Sequence, residues 1–176
     1  MGLIAIDPGV HSMAIAVFEE GGTLQDAWNE NRALHPEDTY SFNEIVEHWG
    51  SPHLRLVNRL QSLVGMRPGI VGERQVVYPG ARGLKTNPND LLDLAMCSGA
   101  FYGALCVEMR SNLTLVEPAE WKAQVPKDIT RERIEKLLMG KELNVIKKGG
   151  EMHNVYDAIG IGLFALGRAK KGMVAP

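Results

Sequence analysis

The sequence has few cysteines and no long apolar run, and each shortage excludes a class of protein. Only two cysteines, Cys97 and Cys106, occur in 176 residues, and they do not form a Cys-x-x-Cys pair. This excludes a disulfide scaffold and argues against a zinc or thiol-redox motif. Because both lie in an apolar stretch, we expect two buried free thiols and a reducing, cytoplasmic compartment.

Basic charge is also not in excess. The formal net charge is −2, from 19 Lys and Arg against 21 Asp and Glu. Proteins that bind DNA through their bulk charge are usually basic, so a nucleic-acid function here must depend on local basic patches. An acidic metal site would lower the net charge without repelling DNA, because bound cations reverse its local sign.

We find no apolar run long enough to span a bilayer, no secretion signal, no repeat and no linker. The length, with a hydrophobic fraction of 45% and a charged fraction of 23%, fits a single domain over residues 1–176. We therefore expect no membrane partner.

The order of apolar patterns predicts an α/β fold with an antiparallel start. Leu3–Ile6 is typical of a strand buried on both faces, and Met13–Phe18 and Thr23–Trp28 follow it as hairpin strands, before an irregular stretch from Asn29 to Asp38. Two further short strands are predicted over Ile70–Glu73 and Leu113–Val116. Alternation of strands with helical patterns indicates a mixed sheet with crossover helices on both faces.

The helical patterns have their own boundary signals. Ser41 is a plausible N-cap for a helix ending near Trp49, a second helical pattern covers 56–64, and Asn87-Pro88 begins a long helix to about Met109. Its small residues, such as Ser98 and Gly99, suggest close packing on the sheet. We expect loops at 78–87 and 144–150, a basic and aromatic segment around Trp121, a helix capped by Thr130, and a last helix from about Met152 to Lys170.

Three acidic residues lie at positions where active sites commonly form in α/β folds. Asp7 and Glu73 each follow a buried strand, and Asp157 lies in the first turns of the last helix. Sites in open α/β sheets form beyond the carboxyl ends of strands, so these side chains could converge. Mg²⁺ favours such hard oxygen ligands, and two ions about 4 Å apart can activate water and stabilise a leaving oxygen.

Each acid also has a plainer interpretation. Asp7 could be an ordinary turn residue, Glu73 a solvated strand end and Asp157 an acid favoured by the helix dipole. His153 and Asn154 share a helix face with Asp157 and could add a ligand or position water, although His153 could equally be a surface or capping residue. Glu151 lies further out.

The motifs come in the order found in one known family. The opening Ile4-Ala5-Ile6-Asp7-Pro8-Gly9 with its returning strand resembles that of RuvC-type Holliday junction resolvases. Ile70–Glu73 resembles their second acidic strand, and residues 113–118 with Trp121-Lys122 resemble a later strand and basic segment. Residues 154–163, with Asp157-Ala158, resemble the closing helix.

This resemblance implies a ribonuclease-H-like fold and hydrolysis of phosphodiester bonds in branched DNA with two Mg²⁺ ions, for which Mn²⁺ can substitute. It implies metal-ligand and catalytic roles for Asp7, which we expect to bridge the ions, and for Glu73 and Asp157. Asn154 takes the fourth position, where many relatives have an acid or a histidine. Asn is a weaker ligand, so His153 or Glu151 could compensate. The small size and the loose match suggest a phage-type or otherwise divergent member.

The family further implies a homodimer, because a four-way junction has two symmetric strands to cut. We look for the interface on the 87–109 helix, which could equally be an ordinary core-facing helix. Trp121 could stack on a base or could be a packing residue. Basic residues near the proposed strand ends are candidate phosphate contacts: Arg74, Arg82, Lys85, Lys122, Lys127, Arg131, Lys147 and Lys148. Lys122 or Lys127 could also support transition-state charge.

Two other functions stay open. One is an RNA-processing nuclease of the same fold. The other is a junction-binding protein that has lost catalysis, with Asn154 as a symptom.

Overall fold

The computed structural model describes residues 1–31, 42–50, 54–76, 88–149 and 153–176. The strands in these ranges are β1 (Leu3–Asp7), β2 (Ser12–Phe18), β3 (Leu24–Asn31), β4 (Gly69–Glu73) and β5 (Leu113–Val116). The helices are α1 (Phe42–Trp49), α2 (Leu54–Val64), α3 (Pro88–Met109), α4 (Pro118–Trp121), α5 (Lys127–Leu137), α6 (Gly140–Gly149) and α7 (His153–Ala165).

The five strands form one mixed sheet in the order β3-β2-β1-β4-β5. The first three strands pair antiparallel, whereas β4 runs parallel to both β1 and β5. Helix α7 packs on β1 and β2, and α2 also contacts β2. The predicted mixed sheet with an antiparallel start and helices on both faces is confirmed.

Strand alternation divides the core into two layers. Ala5 and Val71 face one layer, which they share with Ile159 and other buried residues of α7. Ile6 and Ile70 face the other layer, which contains the buried residues of α1, α2 and α3. The sheet is therefore covered on both sides, and its strand ends are the places left for a site.

Four element boundaries differ from the predictions. Strand β3 continues to Asn31, because residues 29–31 pair with 12–14 of β2. Helix α5 begins at Lys127, so Thr130 is not the cap of this helix. The Thr130 hydroxyl instead donates to the Pro126 carbonyl at 3.0 Å. The expected loop at 144–150 is helical through Gly149.

The last helix is also shorter than predicted. Helix α7 ends at Ala165, and Gly167 follows it with a φ of 69°, the left-handed conformation typical of a helix C-terminus. Lys170 lies beyond this turn and pairs with Val174 in an isolated bridge. The proposed Ser41 cap and the 78–87 loop lie outside the described residues.

Helix α3 contradicts the expectation that no apolar run is long enough to cross a bilayer. By length and composition alone, the helical segment Asp90–Met109 is long and apolar enough to cross a membrane. In the fold, 28% of its most apolar 18-residue stretch is buried. One side is buried in the core through Cys97, Phe101 and Leu105. Because this side packs like that of any core helix, the length alone is weak evidence for a membrane span.

The outer side of α3 is apolar and exposed. Leu92 and Val107 are 61% and 76% exposed. Gly99 and Gly103, on the same side, are exposed, and a Cβ added at either would meet no atom within 4 Å. The expectation of close packing on the sheet is therefore wrong for Gly99, whereas Ser98 is buried.

The two cysteines are free, as predicted. Cys97 is buried, and burial raises the pKa of its thiol to about 11. Cys106 is only half-buried on α3, which differs from the expectation that both are buried.

Candidate active site

Asp7 and Glu73 are side by side at the carboxyl ends of two parallel strands. Ile6 of β1 pairs with Gly72 of β4, so the next residue on each strand is one of these acids. Alternation places both side chains on the face of Ala5 and Val71, the layer that α7 covers. Both residues are half-buried.

Helix α7 brings a third carboxylate to the same place. Asp157 lies on its second turn, and its charge acts on both Asp7 and Glu73. The Asp157 Oδ2 accepts a bond from Lys122 Nζ at 2.7 Å, and the two side chains are 16% and 18% exposed. The structure therefore brings together the three predicted acids and one of the predicted basic residues.

The environment opposes the ionisation of Asp7. Burial is the main cause that raises the pKa of its carboxyl well above the ordinary value, and the charges of Glu73 and Asp157 raise it further. Lys122 and Lys127 lower it in part. A carboxylate with two like charges nearby and little water is a place where a cation would lower the free energy.

Glu73 is held on two sides. Trp121 donates its indole N–H to Glu73 Oε2 at 3.0 Å, while the Tyr102 hydroxyl donates to the Glu73 main-chain carbonyl at 3.3 Å. Burial raises the pKa of the Glu73 carboxyl, and the bond from Trp121 lowers it only in part. The pKa of Tyr102 is raised well above its ordinary value, first by burial and then by the charges of Asp7 and Glu73.

The donor chemistry fits a hard divalent cation, because the charges of Glu73 and Asp157 act on Asp7 and burial opposes the charges of Asp7 and Glu73. Within the described ranges, however, no group of three or more His, Cys, Asp or Glu side chains has its atoms placed to hold a metal. Lys122 occupies one oxygen of Asp157, and Trp121 binds one oxygen of Glu73. The three carboxylates therefore lie near one another, with two of their oxygens already bonded to Lys122 and Trp121.

The other proposed ligands are at the start of α7. Asn154 is half-buried and His153 is exposed, three and four residues before Asp157 on the same helix. No hydrogen bond joins either side chain to the three carboxylates among the described residues. Glu151 lies outside the described residues, so the fourth ligand position stays a prediction.

The predicted phosphate contacts have different surroundings. Lys127 is exposed and close enough to Asp7 to lower its pKa. Arg131 pairs with Glu135 at 3.0 Å and lies over the Tyr156 ring, whereas Arg74 is 61% exposed and pairs with Glu117 at 3.3 Å. Lys147 and Lys148 fall in α6, but their side chains, like Arg82 and Lys85, lie outside the described residues.

Two residues bind Glu73 in a way that the sequence did not predict, Trp121 at its carboxylate and Tyr102 at its main-chain carbonyl. Trp121 is fully buried, so the base-stacking alternative is wrong and the packing alternative is correct. Its bond to Glu73 joins residues 48 positions apart, and the bond from Tyr102 spans 29, so no local spacing reveals either. The segment expected around Trp121 forms the short helix α4, which has a proline in its first turn and a Glu117/Glu120 capping box.

Solved structures with this arrangement of elements include Holliday junction resolvases. Thermus thermophilus RuvC matches with a TM-score of 0.57 at 19% identity, over 97% of this chain and 99% of that one. The T. thermophilus RuvC complex with a Holliday junction substrate matches with a TM-score of 0.56 at 17% identity, over 97% and 98%. The yeast mitochondrial resolvase Ydc2 matches with a TM-score of 0.54 at 14% identity, over 91% of this chain and 76% of that one.

The chain has the fold of RuvC-type resolvases. The predicted ribonuclease-H-like fold is confirmed, and the low identities to these resolvases fit the predicted divergence. No protein-family model matches the chain, and no curated protein sequence matches it significantly. At these identities the likeness establishes the fold, while the activity has to be argued from the site.

Proposed function

We propose that the protein is a metal-dependent endonuclease that hydrolyses phosphodiester bonds in branched DNA, with Holliday junctions as its substrate. The observation that carries the proposal is the convergence of Asp7, Glu73 and Asp157 at the carboxyl ends of β1 and β4. The similarity in fold to proteins described as Holliday junction resolvases supports the choice of substrate.

Asp7, Glu73 and Asp157 would hold Mg²⁺ or Mn²⁺, with Asn154 and His153 as further candidate ligands. A pair of such ions supplies an activated water and stabilises the oxygen that leaves the phosphodiester. The chain's own contribution is a rigid frame, because two ligands extend from neighbouring strands and the third from the helix packed on them.

Lys122 supplies the fixed positive charge of the site. In the metal-free protein it neutralises Asp157, at 2.7 Å, in a half-buried position where a lone carboxylate would be costly. With DNA bound, we propose that this ammonium pairs with the scissile phosphate and stabilises charge that develops in the transition state.

Phosphate contacts outside the reacting centre would come from basic residues around it. Lys127, Arg131 and Arg74 are the described candidates, and Arg82, Lys85, Lys147 and Lys148 are predicted ones. Contacts of this kind give affinity without sequence reading, and they allow a protein with a net charge of −2 to bind DNA through one patch.

We propose a homodimer through the outer side of α3. Leu92, Gly99, Gly103 and Val107 form an exposed apolar stripe along that helix, and we call it the α3 stripe. Its two glycines would let a second helix approach closely. A second copy of the chain fits best, because a two-fold dimer would match the two symmetric strands of a four-way junction.

The proposal is tested by gel cleavage of a synthetic four-way junction beside a matched linear duplex, a flap and an RNA strand, with Mg²⁺, with Mn²⁺ and with chelator. Paired, metal-dependent nicks across the junction are expected. Cutting of RNA with intact junctions would assign the site to RNA processing instead. Tight junction binding without cutting of any substrate would leave a binding protein that has lost catalysis.

A further inference from the structure

The side chain of Trp121 joins the core of the protein to a carboxylate of the proposed metal site. Its ring is fully buried, and its indole N–H donates to Glu73 Oε2 at 3.0 Å. Among the described residues this is the only hydrogen bond to the Glu73 carboxylate. The orientation of that carboxylate therefore depends on one donor.

Trp121 is itself held in place from several directions. Gly160 of α7 leaves room for the ring, because a Cβ there would lie 2.6 Å from Trp121 Cζ3. The Trp121 main-chain carbonyl accepts a bond from the Gly172 N–H at 2.7 Å, and Arg133 donates to the Gly172 carbonyl at 2.6 Å. The chain after α7 thus fixes the main chain that carries the indole.

The second restraint on Glu73 acts on its backbone only. Tyr102 donates to its main-chain carbonyl, and a Cβ on Gly72 would collide with the Tyr102 ring. Tyr102 fixes where the strand ends, but it does not select a rotamer for the Glu73 side chain. That selection is left to the indole.

We infer that Trp121 is a positioning residue for the metal site: its indole N–H fixes Glu73 Oε2, so that Glu73 would hold a cation through Oε1. The inference rests on the proposed function, because it assumes that Glu73 is a metal ligand. Groups that orient metal ligands in this way typically contribute about 10- to 100-fold to metal affinity.

The test is Mn²⁺ affinity, measured by calorimetry on DNA-free protein. Trp121→Phe removes the donor and keeps an aromatic ring, and we expect it to weaken Mn²⁺ binding about 10-fold or more. Trp28→Phe is the matched control, because Trp28 also donates to a carboxylate, that of Glu30 at 3.2 Å, on β3 away from the site. It should bind Mn²⁺ like the wild type.

A double-mutant cycle separates positioning from a general loss of packing. If Trp121 acts through Glu73, Trp121→Phe should change Mn²⁺ affinity much less in a Glu73→Gln background than in the wild type. Equal losses in both backgrounds would overturn the inference, as would wild-type affinity in a folded Trp121→Phe variant. No Mn²⁺ binding by the wild type would instead overturn the proposed metal site.

A measurement on the wild type covers the case in which Trp121→Phe does not fold. The three indole N–H signals in a nitrogen-15 NMR spectrum can be assigned with Trp28→Phe and Trp49→Phe, leaving Trp121 by elimination. On titration with Mg²⁺, the Trp121 signal should move more than the other two. A Trp121 signal that stays in place while Mg²⁺ binds would contradict the inference.

Discussion

At the residue scale, the site is built from charges that oppose one another. Asp7 has little water around it and two carboxylates nearby, so its pKa is raised well above the ordinary value of about 4. The folded protein then binds a proton more tightly than the unfolded chain does. The contribution of the Asp7 carboxyl to the free energy of unfolding therefore falls as pH rises from about 4 to the raised pKa. The slope is at most about 1.4 kcal/mol per pH unit.

Asp7→Asn should therefore stabilise the metal-free protein, because it removes the cost of ionising a desolvated carboxyl. The gain in the free energy of unfolding should be small near pH 4 and grow toward pH 8, as measured by urea unfolding in chelator. Mg²⁺ should stabilise the wild type more than the variant. A variant that is less stable than the wild type at pH 8 would contradict this account of the Asp7 environment.

The residue scale also shows how far sequence reasoning reaches into the site. Asp7, Glu73 and Asp157 could be predicted because each stands at a recognisable boundary of a strand or helix. Trp121 and Tyr102 could not, because each acts on Glu73 across tens of residues and neither follows a boundary signal. Whether His153 or Asn154 completes the site stays a prediction.

At the element scale, the central strands were predictable, whereas the boundaries set by tertiary pairing were not. β1 and β4 are short apolar runs with buried central residues, whereas β5 is a short apolar run whose Thr114 and Leu115 are exposed. Residues 29–31 are polar and become strand only because β2 offers them partners. Residues 144–149 have a weak pattern of their own and belong to α6, near whose start the buried Glu142 accepts a bond from the Met139 N–H at 2.7 Å.

Glu142 joins distant parts of the chain through one buried carboxylate. It accepts bonds from the N–H groups of Leu24 and Met139, both at 2.7 Å, and from both terminal nitrogens of Arg168. Burial raises the pKa of its carboxyl, but these donors lower it overall. Its stabilising contribution is therefore present above the ordinary Glu pKa and is lost as pH falls through the lowered pKa.

Glu142→Gln should lower the free energy of unfolding by about 3 kcal/mol at pH 7, because Arg168 loses its charged partner in a largely buried place. The loss should shrink in acid, as urea unfolding at pH 7 and pH 4 would show. Glu132→Gln, which removes an exposed pair with Lys136, serves as the control and should leave the urea midpoint unchanged. Equal effects of the two substitutions would refute the role given to Glu142.

At the scale of the whole molecule, the fold followed from the order of its elements, and the antiparallel start of the sheet could be predicted from the hairpin turns. The single domain over residues 1–176 and the dimer stay predictions. The α3 stripe had no signal in the sequence beyond an apolar helix, because only the structure separates its buried side from its exposed side.

The α3 stripe should hold two copies together. Val107→Arg should convert the protein to a monomer in sedimentation and light-scattering measurements, and should abolish paired nicks while leaving Mn²⁺ binding intact. Leu54→Arg is the matched control, because Leu54 on α2 is 74% exposed, close to the 76% of Val107. A wild type that is monomeric at micromolar concentration would contradict the dimer, and binding to lipid vesicles would assign the stripe to a membrane surface instead.

The most direct test of the central claim compares wild type and Asp7→Asn on one synthetic four-way junction, with Mg²⁺ and with chelator. We predict symmetric nicks by the wild type in Mg²⁺ only, and none by the variant, which should still fold and bind the junction. Cleavage by Asp7→Asn at the wild-type rate would contradict the claim that the carboxylates at the ends of β1 and β4 form the nuclease centre.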